Sequence, residues 1–157
     1  MFRQRQQIQE LNLGVSPRSD VPRPVLMQSE LTCQLLFEGS ADVSSPTNGV
    51  VTVTFKSCRV SRFGYPNDEA LPGHPLYKYG LRSYGVFEVS NSSWDKEIQA
   101  QNRIAFPAFK MQQRRHLIIT FHDSMFECIA ASAVAEISTE SFSSAVARVS
   151  KVLPDDV

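Results

Sequence analysis

His122, Asp123 and Cys128 carry the residue types of a nucleophilic site. Cys128 would attack as a thiolate, His122 would take its proton and Asp123 would orient the ring. The spacing works against a local version of this. In a tight hairpin, 122 and 128 fall on opposite strands, and adjacent His and Asp point to opposite sides of one strand. Turn geometry accounts for Asp123-Ser124 and core packing for Cys128, so no catalytic set is assigned. His74, His116 and His122, with Asp68, Glu69 or Glu127, supply the donor types of a metal site. No pair of the histidines has i, i+4 or short H-x-H spacing, so no metal ligand is assigned and no cofactor is implied. His116 reads as a strand-start residue at a sheet edge. His74, between Gly73 and Pro75, reads as a loop residue bonded to backbone. The basic cluster Lys110, Arg114 and Arg115 is accounted for by a solvated loop.

The long connection from Phe63 to Gly80 is the stronger functional feature. It is punctuated by Gly and Pro and is unusually aromatic. Loops beyond about 12–15 residues are uncommon in compact domains and are often functional. Tyr65, Tyr77, Tyr79 and Tyr84 alternate with His74, Lys78 and Arg82, and Tyr and Arg are frequent interface anchors. The binding residues expected are His74, Tyr77, Tyr79, Arg82, Tyr84 and His122. The same loop could instead close over the sheet as a lid on the core.

The elements that position these residues follow from hydrophobic periodicity. Leu31–Glu38 reads as a strand and Val50–Phe55 as its partner, joined by a turn at Ser44–Gly49 in which Asn48-Gly49 is the signal. Val51, Val53 and Phe55 share one face. The second strand is expected to continue through Cys58 and Val60 with a bulge. A third strand lies at Tyr84–Val89. Ser92 caps a helix, with Asp95 three residues on, running to about Arg103 and stopping before Pro107. His116–Phe121 is apolar on both faces, which marks a central strand. It turns at Asp123-Ser124 and returns through Met125–Ala130. Phe142, Ala145, Val146, Val149, Val152 and Leu153 recur at helical spacing until Pro154. The fold class is therefore α+β, a largely antiparallel sheet of about five strands with two helices packed on it.

The chain has 157 residues, 42% of them apolar, with ten Phe and 20% charged, enough for a real core. Lys+Arg and Asp+Glu are both 16, so there is no basic excess and nucleic acid is not expected as partner. Three widely spaced cysteines fit neither a disulfide framework nor a zinc site, and read as reduced, buried thiols. No signal-peptide pattern or membrane-length apolar run occurs, so a cytoplasmic location without a membrane span is expected. Residues 1–29, rich in Gln, Arg, Ser and Pro, read as a disordered tail, and 30–154 as one domain.

The run Gly73-His74-Pro75-Leu76, Gly80-Leu81, Asn91-Ser92-Ser93-Trp94, Arg115-His116 and Phe121–Ala130 resembles a group of small uncharacterised bacterial proteins. It covers roughly the second half of the chain and attaches no activity to it. In architecture, a small β-rich domain ending in a Phe-His-Asp hairpin is similar to polymorphic-toxin immunity proteins. The function expected is a non-enzymatic protein-binding or accessory module, with an immunity protein as one form. The alternative is a small hydrolase or ligand-binding domain using His122, Cys128 and the 64–84 loop.

Overall fold

A computed structural model describes residues 4–42, 48–110 and 114–151. In chain order the elements are β1 (Gln7–Glu10), β2 (Val15–Pro17), β3 (Val25–Gln28), β4 (Cys33–Ala41), β5 (Asn48–Lys56), β6 (Val60–Gly64), β7 (Val86–Ser90), α1 (Ser93–Ala105), β8 (Arg115–Thr120), β9 (Met125–Ala130), β10 (Ser132–Ser138) and α2 (Phe142–Ser150). One sheet runs β1-β7-β8-β9-β6 and the other β10-β5-β4-β2, with β3 also on β4. Pairing is antiparallel. The α+β class, the antiparallel sheet and the two helices are those expected from sequence. The strands number ten among the described residues and divide between two sheets.

The division follows from strand alternation. Cys33, Leu35, Phe37, Val51, Val53 and Phe55 from one sheet meet Val86, Leu117, Ile119, Phe126 and Cys128 from the other in one buried core. β8, apolar on both faces, is the middle strand of its sheet. Its outer residue Ile118, with Phe87, Val89 and Met125, is covered by Leu71, Leu76 and Leu81 of the long connection. That segment is held by two 3₁₀ turns, at Leu71–Gly73 and Tyr77–Tyr79. On the other sheet, Leu36 and Val50 are covered by Ala145 and Val149 of α2.

The expected N-terminal tail is corrected at its described residues. β1 pairs with β7, and β2 and β3 both pair with β4. Isolated apolar residues suffice to dock these edge strands: Val15 enters the main core, and Ile8 packs under the long connection. Asn48 and Gly49 do not form the turn but lie in β5, opposite Ser40 and Gly39. Residues 43–47 lie outside the described residues, as do 152–154, where α2 was expected to end. The second strand does not continue past Lys56. Ser57, at φ +51°, turns the chain out of one sheet, and β6 joins β9 of the other. Among the described residues no helix is long and apolar enough to cross a membrane.

Candidate functional site

The outer face of β8 and β9 carries a polar chain in an otherwise apolar setting. His116 is 3% exposed, so it is not the edge residue expected from sequence. Its Nδ1 is 2.7 Å from Ser92 Oγ, and its Nε2 is 2.7 Å from Glu127 Oε2. Ser92 is the N-cap of α1, and its Oγ accepts the Asp95 N–H at 3.1 Å. This is the cap that the Ser92 and Asp95 spacing indicates. An ionised carboxylate only accepts, so in the neutral ring Nε2 carries the proton and Nδ1 accepts the Ser92 hydroxyl. Glu127 Oε1 lies 3.5 Å from Arg62 Nη1, and the Arg62 guanidinium sits 4.1 Å above the Trp94 ring. Trp94 in turn meets the His116 ring edge-on at 5.1 Å.

Arg62, Trp94, His116 and Glu127 form one wall of a recess of about 210 Å³, which His74, Leu76 and Glu97 also line. The tight turn at His74 is fixed by its Nδ1, which accepts the Leu76 N–H at 3.0 Å. Burial lowers the pKa of His74, with the charges of His116 and Arg62 adding to it against the opposing pull of Glu127. Burial by itself pushes the Glu127 carboxyl up. The His116 hydrogen bond and the charges of His116, Arg62 and His74 outweigh it and hold Glu127 below its ordinary value.

Ser92→Ala is expected to cost about 2 kcal/mol, since it removes a helix cap and leaves the buried His116 Nδ1 without its partner. Thermal and urea unfolding measure this. A cost below about 0.5 kcal/mol would show that the cap and the imidazole do not share this hydroxyl.

No family model, curated protein or solved structure matches the chain.

The other residues expected at a site fall in three places. Tyr77 and Tyr79 pack partly into the outer core, with Arg82 4.4 Å over Tyr77 and Lys78 5.2 Å from the Tyr79 ring centre. Arg82 also donates to the backbone oxygens of Tyr77 at 3.0 Å and Leu81 at 2.7 Å. Tyr84 and His122 gather at Asp68. The Tyr84 hydroxyl donates to the Asp68 carboxylate, which holds Asp68 low and pushes Tyr84 up to about 12. His122 Nδ1 lies 3.5 Å from Asp68 and 3.4 Å from the exposed Asp123.

Cys128 is 0% exposed and faces the core between the sheets, not the turn that bears His122. The Cys58 contact and burial both raise its pKa, so the nucleophile, base and orienter considered from sequence are not assembled. Among the described residues no group of His, Cys, Asp or Glu is arranged to hold a metal. Sequence reasoning passed over Ser92, His116, Glu127, Arg62 and Trp94 as a set. The hairpin register was the available signal, because a turn at 122–124 places His116 and Glu127 on one face of adjacent strands.

Proposed function

We propose that this chain is a non-enzymatic protein-binding module. In this reading the ridge from Tyr77 to Arg82 grips the partner, and one partner side chain seats in the recess beside it. Arg82 carries the argument: stacked on Tyr77 and bonded to two backbone oxygens, it is ordered before any partner arrives. Preordered aromatic and arginine side chains lose little entropy on binding, which is what makes such residues effective anchors.

The recess favours the same reading. At about 210 Å³ it falls below the range of roughly 300–1,000 Å³ usual for small-molecule sites. Both ring nitrogens of His116 are engaged, and the Ser92 hydroxyl is committed to the helix cap, so neither is left to act on a substrate. Lys78 and Arg82, with Arg5 beside Tyr79, make the ridge basic. The complementary partner surface is therefore acidic. An immunity protein covering an acidic toxin surface is one concrete form of this reading.

Affinity capture from native lysate tests it. The wild-type chain is expected to retain one protein, and the Tyr77→Ala, Arg82→Ala double variant to bind it at least about 30-fold more weakly, as loss of a hot spot does. Capture of nothing, or equal capture by both, would sink the proposal.

A further inference from the structure

Three cysteines distant in sequence meet at the seam between the two sheets, away from the recess. Cys33 opens β4, Cys58 lies between β5 and β6, and Cys128 is on β9. All three are free thiols. Cys33 and Cys128 are fully buried, whereas Cys58 is only half-buried. Cys58 packs against the core that holds the other two.

Gln28 gives an independent view of the same point. Its side-chain amide donates to the Cys58 sulfur at 3.8 Å, and its amide oxygen accepts the Ser61 hydroxyl. Gln28 is the cross-strand neighbour of Cys33, and Ser61 is that of Cys128. One side chain thus bridges the sheets where the sulfurs converge. The contact with Cys128, then that with Cys33, lowers the pKa of Cys58, and the Cys58 contact raises theirs. A partly accessible thiol of lowered pKa beside a second thiol is the arrangement of a redox-sensing cysteine.

We propose that Cys58 is a hydroperoxide-reactive cysteine, trapped as a disulfide by one of the two buried thiols against it. The Cys58 thiolate attacks one peroxide oxygen, and the O–O bond breaks. Hydroxide leaves and is protonated to water, so the sulfur is oxidised and the peroxide reduced. The resulting sulfenic acid is attacked by the sulfur of Cys128 or Cys33. The S–O bond breaks, and a second water leaves with the resolving thiol's proton.

Hydrogen peroxide added to the full chain, followed by thiol counting and peptide mass mapping, tests this. Two of the three thiols are expected to disappear together, in a bond that includes Cys58. Alkylation at neutral pH is expected to label Cys58 about tenfold or more faster than the buried pair. Cys58→Ser is expected to keep its circular dichroism spectrum and lose no thiols to peroxide. A bond joining Cys33 to Cys128, oxidation that proceeds unchanged in Cys58→Ser, or three thiols that all survive peroxide would each overturn the proposal. Accumulation of a Cys58 sulfinic acid without a disulfide would overturn the trapping step.

Discussion

Glu127→Ala is expected to lower the unfolding free energy by about 2–3 kcal/mol, the cost of leaving a buried donor without its carboxylate acceptor. Glu127 is 6% exposed, and His116, which it holds, is 3% exposed. Truncation leaves the Nε2–H of His116 in the interior with no acceptor and takes the counter-charge away from Arg62. Urea unfolding followed by circular dichroism measures the loss. A value under about 1 kcal/mol would mean that water reaches the imidazole and that the network is not sealed.

Two further variants separate charge from shape at this position. Glu127→Gln keeps an acceptor for His116 and removes only the ionisation. The folded carboxyl titrates below its ordinary value of 4.5, so between the two pKa values the unfolded chain binds more protons than the folded one. The charge therefore stabilises fully above pH 4.5, and its contribution is lost as pH falls through the folded pKa. Wild type and Glu127→Gln should differ most near neutrality and converge on acidification. Replacing His116 and Glu127 together with Leu and Met should cost much less than Glu127→Ala alone, because the buried imidazole is removed with its acceptor, Ser92 keeps its bond from the Asp95 N–H, and the exposed Arg62 is left to water.

Local signals led to the right elements where the chain packs locally. β8 reads as central because both of its faces are apolar, and it has covered neighbours on each side. The Ser92 cap was visible because capping is decided within three residues. Signals failed where tertiary contacts outweighed them. β1, β2 and β3 bury only a few apolar side chains each; β1 and β2 pair with strands far off in sequence, and β3 folds back on β4 across a short turn. β10 alternates Ala133, Ala135 and Ile137 toward the core, and small side chains give a weak period-2 pattern although they fit closely against β5. The Asn48-Gly49 turn signal was overridden by the β4–β5 ladder. At Gly49 a Cβ would meet the backbone oxygen of Ser138, so this glycine serves close strand approach instead of a turn.

The site was less readable than the fold because it joins residues through sheet register and not through spacing. Ser92 and His116 are separated by α1 and the connection that leads from it to β8. Glu127 meets His116 diagonally across the hairpin, with Ile118 opposite Glu127 and Ile129 opposite His116. Of the two roles suggested for the aromatic loop, the lid on the core is the one the packing carries. Leu71, Leu76 and Leu81 close the outer core, while Tyr77, Lys78 and Arg82 form the ridge above it.

Phe126→Ala, one residue from Glu127, should be more destabilising, for a different reason. Alternation along β9 sends Glu127 to the outer face and Phe126 to the inner one, where it is 0% exposed. Its ring meets Phe55 of the opposite sheet at 5.0 Å and Phe63 of β6 at 6.5 Å. Truncation removes a large buried ring where the two sheets face one another, and strands held by ladders on both sides cannot collapse into the space. The expected cost is about 3–5 kcal/mol. Phe126→Leu, which fills most of the volume, should recover more than half of it. Unlike Glu127→Ala, the Phe126→Ala loss should be nearly independent of pH between 4 and 8, because no titrating group changes partner. A Phe126→Ala cost under about 1.5 kcal/mol would mean that the sheets do not pack closely at this point.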